Sequence, residues 1–242
     1  MVRVTDYDSR RKEVLRAVIE LYLQTARPVS SESLLEQRKF NLSSATIRNV
    51  FKDLENKGFL THPHTSAGRV PTDLGYRFYI NDLMERVELS NDEKKIIEQF
   101  FRYNLARGND AFENASRILS NFTHYAGIAS HKDKNSVYYC GLGYLLEQPE
   151  FHNLDEIRSI FRVLEEDRLL DLMRRQMEKE IEVVIGCECN FTEMSNCSLI
   201  VCECEDSNGE LAKVALLGPK RMAYKRVIPM MDYIANLISE DI

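Results

Sequence analysis

Residues 43–60 constrain the chain more than any other stretch. They read Ser-Ser-Ala-Thr-Ile-Arg-Asn-Val-Phe-Lys-Asp-Leu-Glu-Asn-Lys-Gly-Phe-Leu. The run opens on hydroxyls, reaches a glycine and passes directly into a β-prone pair. Ser43 can accept from the unpaired N–H groups of a first helical turn, as an N-cap does. Ile47, Val50, Phe51 and Leu54 recur at i, i+3, i+4 and i+7, which makes one apolar stripe. Gly58 stands where a left-handed residue ends a helix at little cost. With Ile47 at the centre of the buried face, Ala45, Asn49, Lys52 and Asn56 turn outward and Arg48 lies on the flank. A polar outer face is common to surface helices. One that is small and cationic in its N-terminal half also suits a recognition helix, whose first turns enter the major groove.

The flanking segments predict a winged helix-turn-helix. Ser9 to Thr25 is helical, with Val14, Leu15, Val18, Ile19, Leu21, Tyr22 and Leu23 as a broad apolar face. Arg27-Pro28-Val29 breaks it, because proline disfavours helix in the residue before it. Ser30 or Ser31 then caps a short second helix through Leu34, Leu35 and Gln37, with Glu32 and Glu36 beside it. The link from Lys39 to Leu42 is short, as a helix-turn-helix needs. After Gly58 a strand begins at Phe59-Leu60-Thr61, residues 62–69 form a turn-rich cationic tip, and Val70-Pro71-Thr72 returns. This pair of strands reads as a wing able to sit on phosphates or reach into the minor groove; a plain surface hairpin is the alternative. Thr72 caps a further helix from Asp73 to about Leu89.

Charge supports the division. Residues 1–80 hold 13 Lys+Arg and 9 Asp+Glu, a net +4, whereas the whole chain carries −6. A basic head on an acidic body is expected when only one part touches DNA. Because the head is only modestly basic, one copy should bind weakly and with salt sensitivity. Two copies on two half-sites remedy that. Asn49, Lys52 and Arg48 are the expected base readers. Ser44, Thr46 and Arg69 are placed on phosphates or the minor groove, and His64 is a second phosphate donor in the wing.

The sequence resembles the HrcA family of bacterial heat-shock repressors. The likeness is close at Ser43-Ser44-Ala45-Thr46-Ile47-Arg48-Asn49, and again from Pro63 through Thr72 with Gly75-Tyr76-Arg77. The second block sets it apart from generic winged helices. Downstream, Leu145-Leu146 with Pro149-Glu150-Phe151, Ile185-Gly186 with Glu188, Glu193-Met194, Cys197-Ser198-Leu199 and the run Gly218 to Tyr224 follow in the family's order. The resemblance implies a repressor of chaperone operons that binds an inverted-repeat operator as a homodimer and is kept active by the chaperonin. It also implies a GAF-like domain carrying a dimerising insert. Here the chain departs from the pattern. It passes from Ser130 through Lys132-Asp133-Lys134-Asn135 directly to Val137-Tyr138-Tyr139-Cys140, so a central piece is missing and the GAF-like domain is a reduced one.

The acidic C-terminal half reads as α+β. Helices are expected over residues 88–107, 111–122 and 154–177, with a last helix from Tyr224 or Val227 to Ile238. Strands are expected over 181–186, 198–202 and 213–218, and Asp206-Ser207-Asn208-Gly209 is a hairpin turn signal. The apolar members Phe100 and Phe101 admit two readings, core or dimer contact. The expected architecture is therefore α+β: a winged helix-turn-helix at 1–88, a helical linker at 89–110, and a reduced GAF-like regulatory or oligomerisation domain at 111–242.

Five of the six cysteines fall between Cys187 and Cys204. On a strand, residues two apart share a face. Cys187 with Cys189 and Cys202 with Cys204 could thus converge on a metal or form a redox switch. Against this, the spacing is Cys-x-Cys, no histidine lies close, and Glu188, Glu203 and Glu205 oppose thiolates. Small buried core residues are the other reading. No Gly-rich phosphate loop, Gly-x-Ser-x-Gly elbow or His-Glu-x-x-His motif is present, so an enzyme and a cofactor are not expected. With a polar N-terminus and no membrane-length apolar run, the sequence points to the cytoplasm and no membrane partner. Two competing functions remain: a winged-helix regulator controlled by the Cys cluster, or a chaperonin-interaction module whose dimerisation has been lost.

Overall fold

A 22-residue helix, α1 (Val4–Thr25), supplies the core of the N-terminal unit. It buries Val14, Leu15, Ala17, Val18, Ile19 and Leu21. The computed structural model describes residues 4–37, 40, 42–63, 68–131, 137–165, 168–177, 179–205 and 208–240. The chain divides into two units between Glu85 and Arg86.

α1 starts a full turn before the expected Ser9 and ends at Thr25, followed by Ala26 at a positive φ of 53°. α2 (Ser31–Gln37) follows, with the Ser33 N–H donating to Ser30 Oγ at 3.0 Å, so Ser30 is its cap. α3 (Ser44–Asn56) is capped by Ser43, whose Oγ accepts from the Thr46 N–H at 3.1 Å. Its apolar stripe is buried: Ile47, Val50, Phe51 and Leu54 are all at most 3% exposed. Burying each such side chain is worth about 1.5–3 kcal/mol, which fixes the rotation of α3 and thereby which residues it turns outward. Gly58 ends the segment at φ +76°.

β1 (Leu60–Thr61) pairs antiparallel with β2 (Val70–Pro71), Leu60 opposite Pro71 and Thr61 opposite Val70. A β-bridge ties this hairpin to the segment before α2, with Val29 and Arg69 exchanging both backbone hydrogen bonds at 2.8 Å. Gly68 makes the approach possible: a Cβ there would lie 2.5 Å from the Val29 carbonyl carbon.

Thr72 caps α4 (Asp73–Phe78) by accepting from the Gly75 N–H at 3.1 Å, and donates its own hydroxyl to the Gly58 carbonyl. The helix expected to reach Leu89 stops earlier. One wide turn carries it to Leu83, closed by the Met84 N–H on the Tyr79 carbonyl. The chain then runs extended into Ser90, which forms a capping box with Glu93. The capping box needs non-helical backbone at Ser90, and before it the Val87 N–H donates to the Lys225 carbonyl at 2.9 Å in place of a helical partner.

In the second unit α5 (Asn91–Leu105) packs on α6 (Ala111–Thr123). Residues 106–110, read as part of a linker, are the turn between these two helices, and Asp110 caps α6 through the Phe112 and Glu113 N–H groups. β3 (Ala126–His131) and β4 (Val137–Cys140) form an antiparallel pair across the point where the sequence is shortened. Then come α7 (Gly143–Leu146), α8 (Leu154–Glu165) and α9 (Arg168–Met173); the helix expected over 154–177 is described in the last two of these stretches and ends at Met173. β5 (Ile181–Ile185), β6 (Cys197–Glu205), β7 (Leu211–Pro219) and α10 (Tyr224–Ser239) complete the chain.

The strands make one antiparallel sheet in the order β4-β3-β7-β6-β5. Side chains alternate across it. Ile128, Leu199, Val201, Ala215 and Leu217 point to one face, where Leu145, Phe151, Ile160, Val163, Leu164 and Met173 cover them. α6 and α10 cover the other. Among the described residues no helix is long and apolar enough to cross a membrane.

Candidate nucleic-acid interface

Three short segments of the first unit meet at one surface: the turn entering α2, the outer side of α3, and the base of the β1–β2 hairpin. Together they line a concavity of about 550 Å³. Arg48, Asn49, Lys52 and Arg69 all lie on its walls, so four of the seven residues expected to touch DNA are gathered there.

These four are not equivalent. Arg48, Asn49 and Lys52 are exposed and have no hydrogen-bond or ion-pair partner among the described residues. They project from the side of α3 opposite Ile47 and Val50, held there by the burial of that stripe. Arg69 is different. Its guanidinium lies 2.8 Å from the Glu55 carboxylate and its side chain is only 25% exposed. It sits at the foot of the hairpin, bridged to Val29, not at the tip. His62 reaches the other Glu55 oxygen at 2.6 Å.

The hydroxyls are also committed. Thr46 Oγ1 lies 2.9 Å from Ser43 Oγ, within the cap of α3. Ser44 Oγ donates to Glu32 Oε1 at 3.0 Å and lies 3.0 Å from Ser31 Oγ. This small network locks the start of α3 to the start of α2. Its centre is Glu32, whose carboxyl is lowered to about 2 by its own backbone N–H, then by the Ser31, Ser44 and Ser30 hydroxyls. The surface therefore carries two acids, Glu32 and Glu55, beside its cations. Reading the sequence missed both. Glu32 stood out only as a neighbour of the second helix. Glu55 follows Leu54 on α3, and nothing in a single helix indicates that a hairpin arginine will fold back onto it. His64 lies outside the described residues.

The four candidate thiols do not meet. Cys187 and Cys189 are not on a strand, because β5 ends at Ile185 and residues 186–189 form a tight helical turn. Cys187 is exposed and Cys189 buried. Cys189 shares one sheet face with Cys197, whereas Cys202 and Cys204 alternate with Val201 and so lie on the other. The Cys204 and Cys202 sulfurs are 3.8 Å apart. That hydrogen bond, together with burial, pushes the Cys204 thiol far up, and burial does the same to Cys197. Among the described residues no three His, Cys, Asp or Glu side chains gather as a metal site.

Comparison with known proteins adds three findings. Residues 76–228 match the family model described as HrcA protein C terminal domain. Among curated relatives, the heat-inducible transcription repressor HrcA of Geobacter sulfurreducens is 27% identical over 339 positions, covering 98% of each chain. That of Syntrophobacter fumaroxidans is 26% identical over 340 positions, again 98% of each. Both alignments are longer than this chain of 242 residues, so the relatives carry residues with no counterpart here. A crystal structure described as a hypothetical protein superposes with a TM-score of 0.72 at 19% identity, covering 96% of this chain and 97% of the other. It establishes a shared fold.

Proposed function

The chain belongs to the HrcA family, and from that premise we propose that it is a transcriptional repressor of heat-shock genes that binds an inverted-repeat operator as a homodimer. The first unit acts as a winged helix-turn-helix, with α2 and α3 as the helix pair and the β1–β2 hairpin as the wing. The second unit is a reduced GAF-like domain that serves oligomerisation and regulation. Family resemblance supplies the regulating partner, a chaperonin that keeps the repressor active. A repressor works where the chromosome is, so the cytoplasm is the proposed compartment.

One observation carries the reading. Arg48, Asn49 and Lys52 stand outward and unpartnered among the described residues, on a helix whose other side is fully buried beside a glycine-enabled hairpin. A solvated surface helix has no need of a hairpin braced against its flank. Arg48 suits guanine O6 and N7, and Asn49 suits adenine N6 and N7. Lys52, expected from the sequence among the base readers, lies one turn further on, where a groove-bound helix meets the backbone, and is assigned to a phosphate instead. Ser44 and Thr46 act first as positioning residues, since both hydroxyls are occupied in holding the start of α3. Arg69 offers its charge from the wing base. The two acids limit non-specific affinity, which favours discrimination over tight binding.

A DNase footprint of the purified protein on DNA upstream of its own chaperone genes tests this. Protection of two inverted half-sites, with centres one helical turn or a multiple of it apart, is the expected result. No protection at protein concentrations that saturate non-specific DNA would refute it.

A further inference from the structure

α5 carries an exposed apolar stripe that its own unit does not cover. Ile97 and Phe101 are buried, and Asn114 of α6 donates to the Phe101 carbonyl at 2.9 Å. Glu93 and Glu98 clasp Arg226 and Tyr233 of α10. These contacts fix the inner side of the helix. On the outer side Ile96 is 44% exposed, Phe100 52% and Tyr103 59%. Phe122 of α6 widens the patch, meeting Phe100 edge-on at 6.3 Å. Three large apolar side chains exposed in one strip mark a contact surface.

The charges at its ends say which partner fits. Asp92, Ile96, Phe100 and Tyr103 fall within a strip about 80° wide on the helix. Arg107 joins it just past the helix end, its guanidinium over the Tyr103 ring at 5.4 Å and 2.8 Å from the Tyr103 hydroxyl. The strip thus runs acid, aliphatic, aromatic, aromatic, base. Turned end for end about a two-fold axis between Gln99 and Phe100, it matches itself. Asp92 then faces Arg107 of a second copy, Ile96 faces Tyr103, and Phe100 lies over the axis. A two-fold contact must be self-complementary in this way.

We propose that this strip is an antiparallel homodimer contact, made by α5 of one copy against α5 of another. The inference rests on the repressor reading only for its purpose, which is to present two copies of α3 to two half-sites. One helix against one helix buries area at the low end of specific interfaces, so the contact is concentration-dependent and an operator with two half-sites strengthens it.

Sedimentation equilibrium of the full chain without DNA tests the contact separately from DNA binding. Wild type should show a reversible monomer–dimer equilibrium. Phe100→Asp should weaken it at least about tenfold, with unchanged circular dichroism and melting. Asp92→Arg alone should weaken it, and Asp92→Arg with Arg107→Asp should restore it, because the exchanged charges still face each other only in the antiparallel arrangement. A strict monomer at all concentrations, a dimer indifferent to Phe100→Asp, or no rescue by the double exchange would each overturn the proposal. A dimer that behaves as expected but protects no operator would leave this contact standing and sink the repressor reading instead.

Discussion

Glu55 holds the Arg69 guanidinium at 2.8 Å, at the foot of the hairpin and beside the outer face of α3. An acid beside the Arg69 guanidinium offsets that cation. Glu55→Gln is therefore expected to tighten binding to all DNA sequences and to steepen the dependence of log affinity on log salt by about one. Arg69→Ala should weaken all sequences about equally and shallow the slope by about as much. Fluorescence anisotropy over a salt series reads both. Slopes unchanged in both variants would remove Arg69 from the DNA contacts.

Arg48 and Lys52 are expected to fail differently. Arg48→Ala should cost about 1–3 kcal/mol on the operator and relax discrimination at one base position. Lys52→Ala should weaken specific and non-specific DNA alike. Equal losses of discrimination in the two variants would refute the division of labour between them.

The Glu32 network makes a pH prediction. The folded carboxyl lies near 2, below its ordinary value of 4.5, because its own N–H and the Ser31, Ser44 and Ser30 hydroxyls favour the ionised form. A depressed acid contributes stability above its unfolded value and loses it as pH falls toward the folded one. The window is thus about pH 4.5 down to 2. Ser44→Ala removes one donor, so the Glu32 carboxyl should titrate at higher pH in an NMR experiment. An unmoved titration would mean that Ser44 does not hold this acid.

Thr72 joins two elements with one hydroxyl, capping α4 and bonding the Gly58 carbonyl. Thr72→Ala should destabilise the first unit by about 1–2 kcal/mol. Gly75→Ala should also destabilise it, since a Cβ there would lie 2.2 Å from the Phe59 carbonyl oxygen. Urea unfolding followed by a probe in the first unit measures each. An unaltered midpoint for Gly75→Ala would contradict the close approach of α4 to the end of α3.

Thiol chemistry should follow burial. Cys187 is exposed, whereas Cys189, Cys197, Cys202 and Cys204 are buried. Under native conditions an aromatic disulfide reagent should modify Cys187 first, and the buried four only on unfolding. Rapid native modification of Cys202 or Cys204 would contradict their place under α10, and bound zinc in protein purified without chelator would revive the sensor reading.

Local signals carried most of the first unit and much of the second, where the helices Ala111–Thr123 and Tyr224–Ser239 and the strands Ile181–Ile185, Cys197–Glu205 and Leu211–Pro219 stand close to expectation, and they failed at particular places. Ser43, the Ile47 stripe, Gly58 and Thr72 are each a cap, a period or a turn whose meaning lies within a few residues, and the helix and hairpin they predict are present. The break at Leu83 depended on a competing cap seven residues later. The strand Ala126–His131 is buried at every position, so it shows no alternation to read. The Cys-x-Cys geometry assumed a strand that ends two residues too soon. The bridge of Arg69 to Val29 and its pairing with Glu55 are long-range contacts that no period in the sequence encodes.

The outer face of α3 is proposed to read base sequence. Its most direct test is competition binding of wild type and an Arg48→Ala, Asn49→Ala double variant, on the footprinted operator and on shuffled DNA of equal length and composition at fixed salt. Wild type should prefer the operator by at least about a thousandfold, and the double variant should lose most of this preference while still binding shuffled DNA. A double variant that discriminates as well as wild type would contradict that reading.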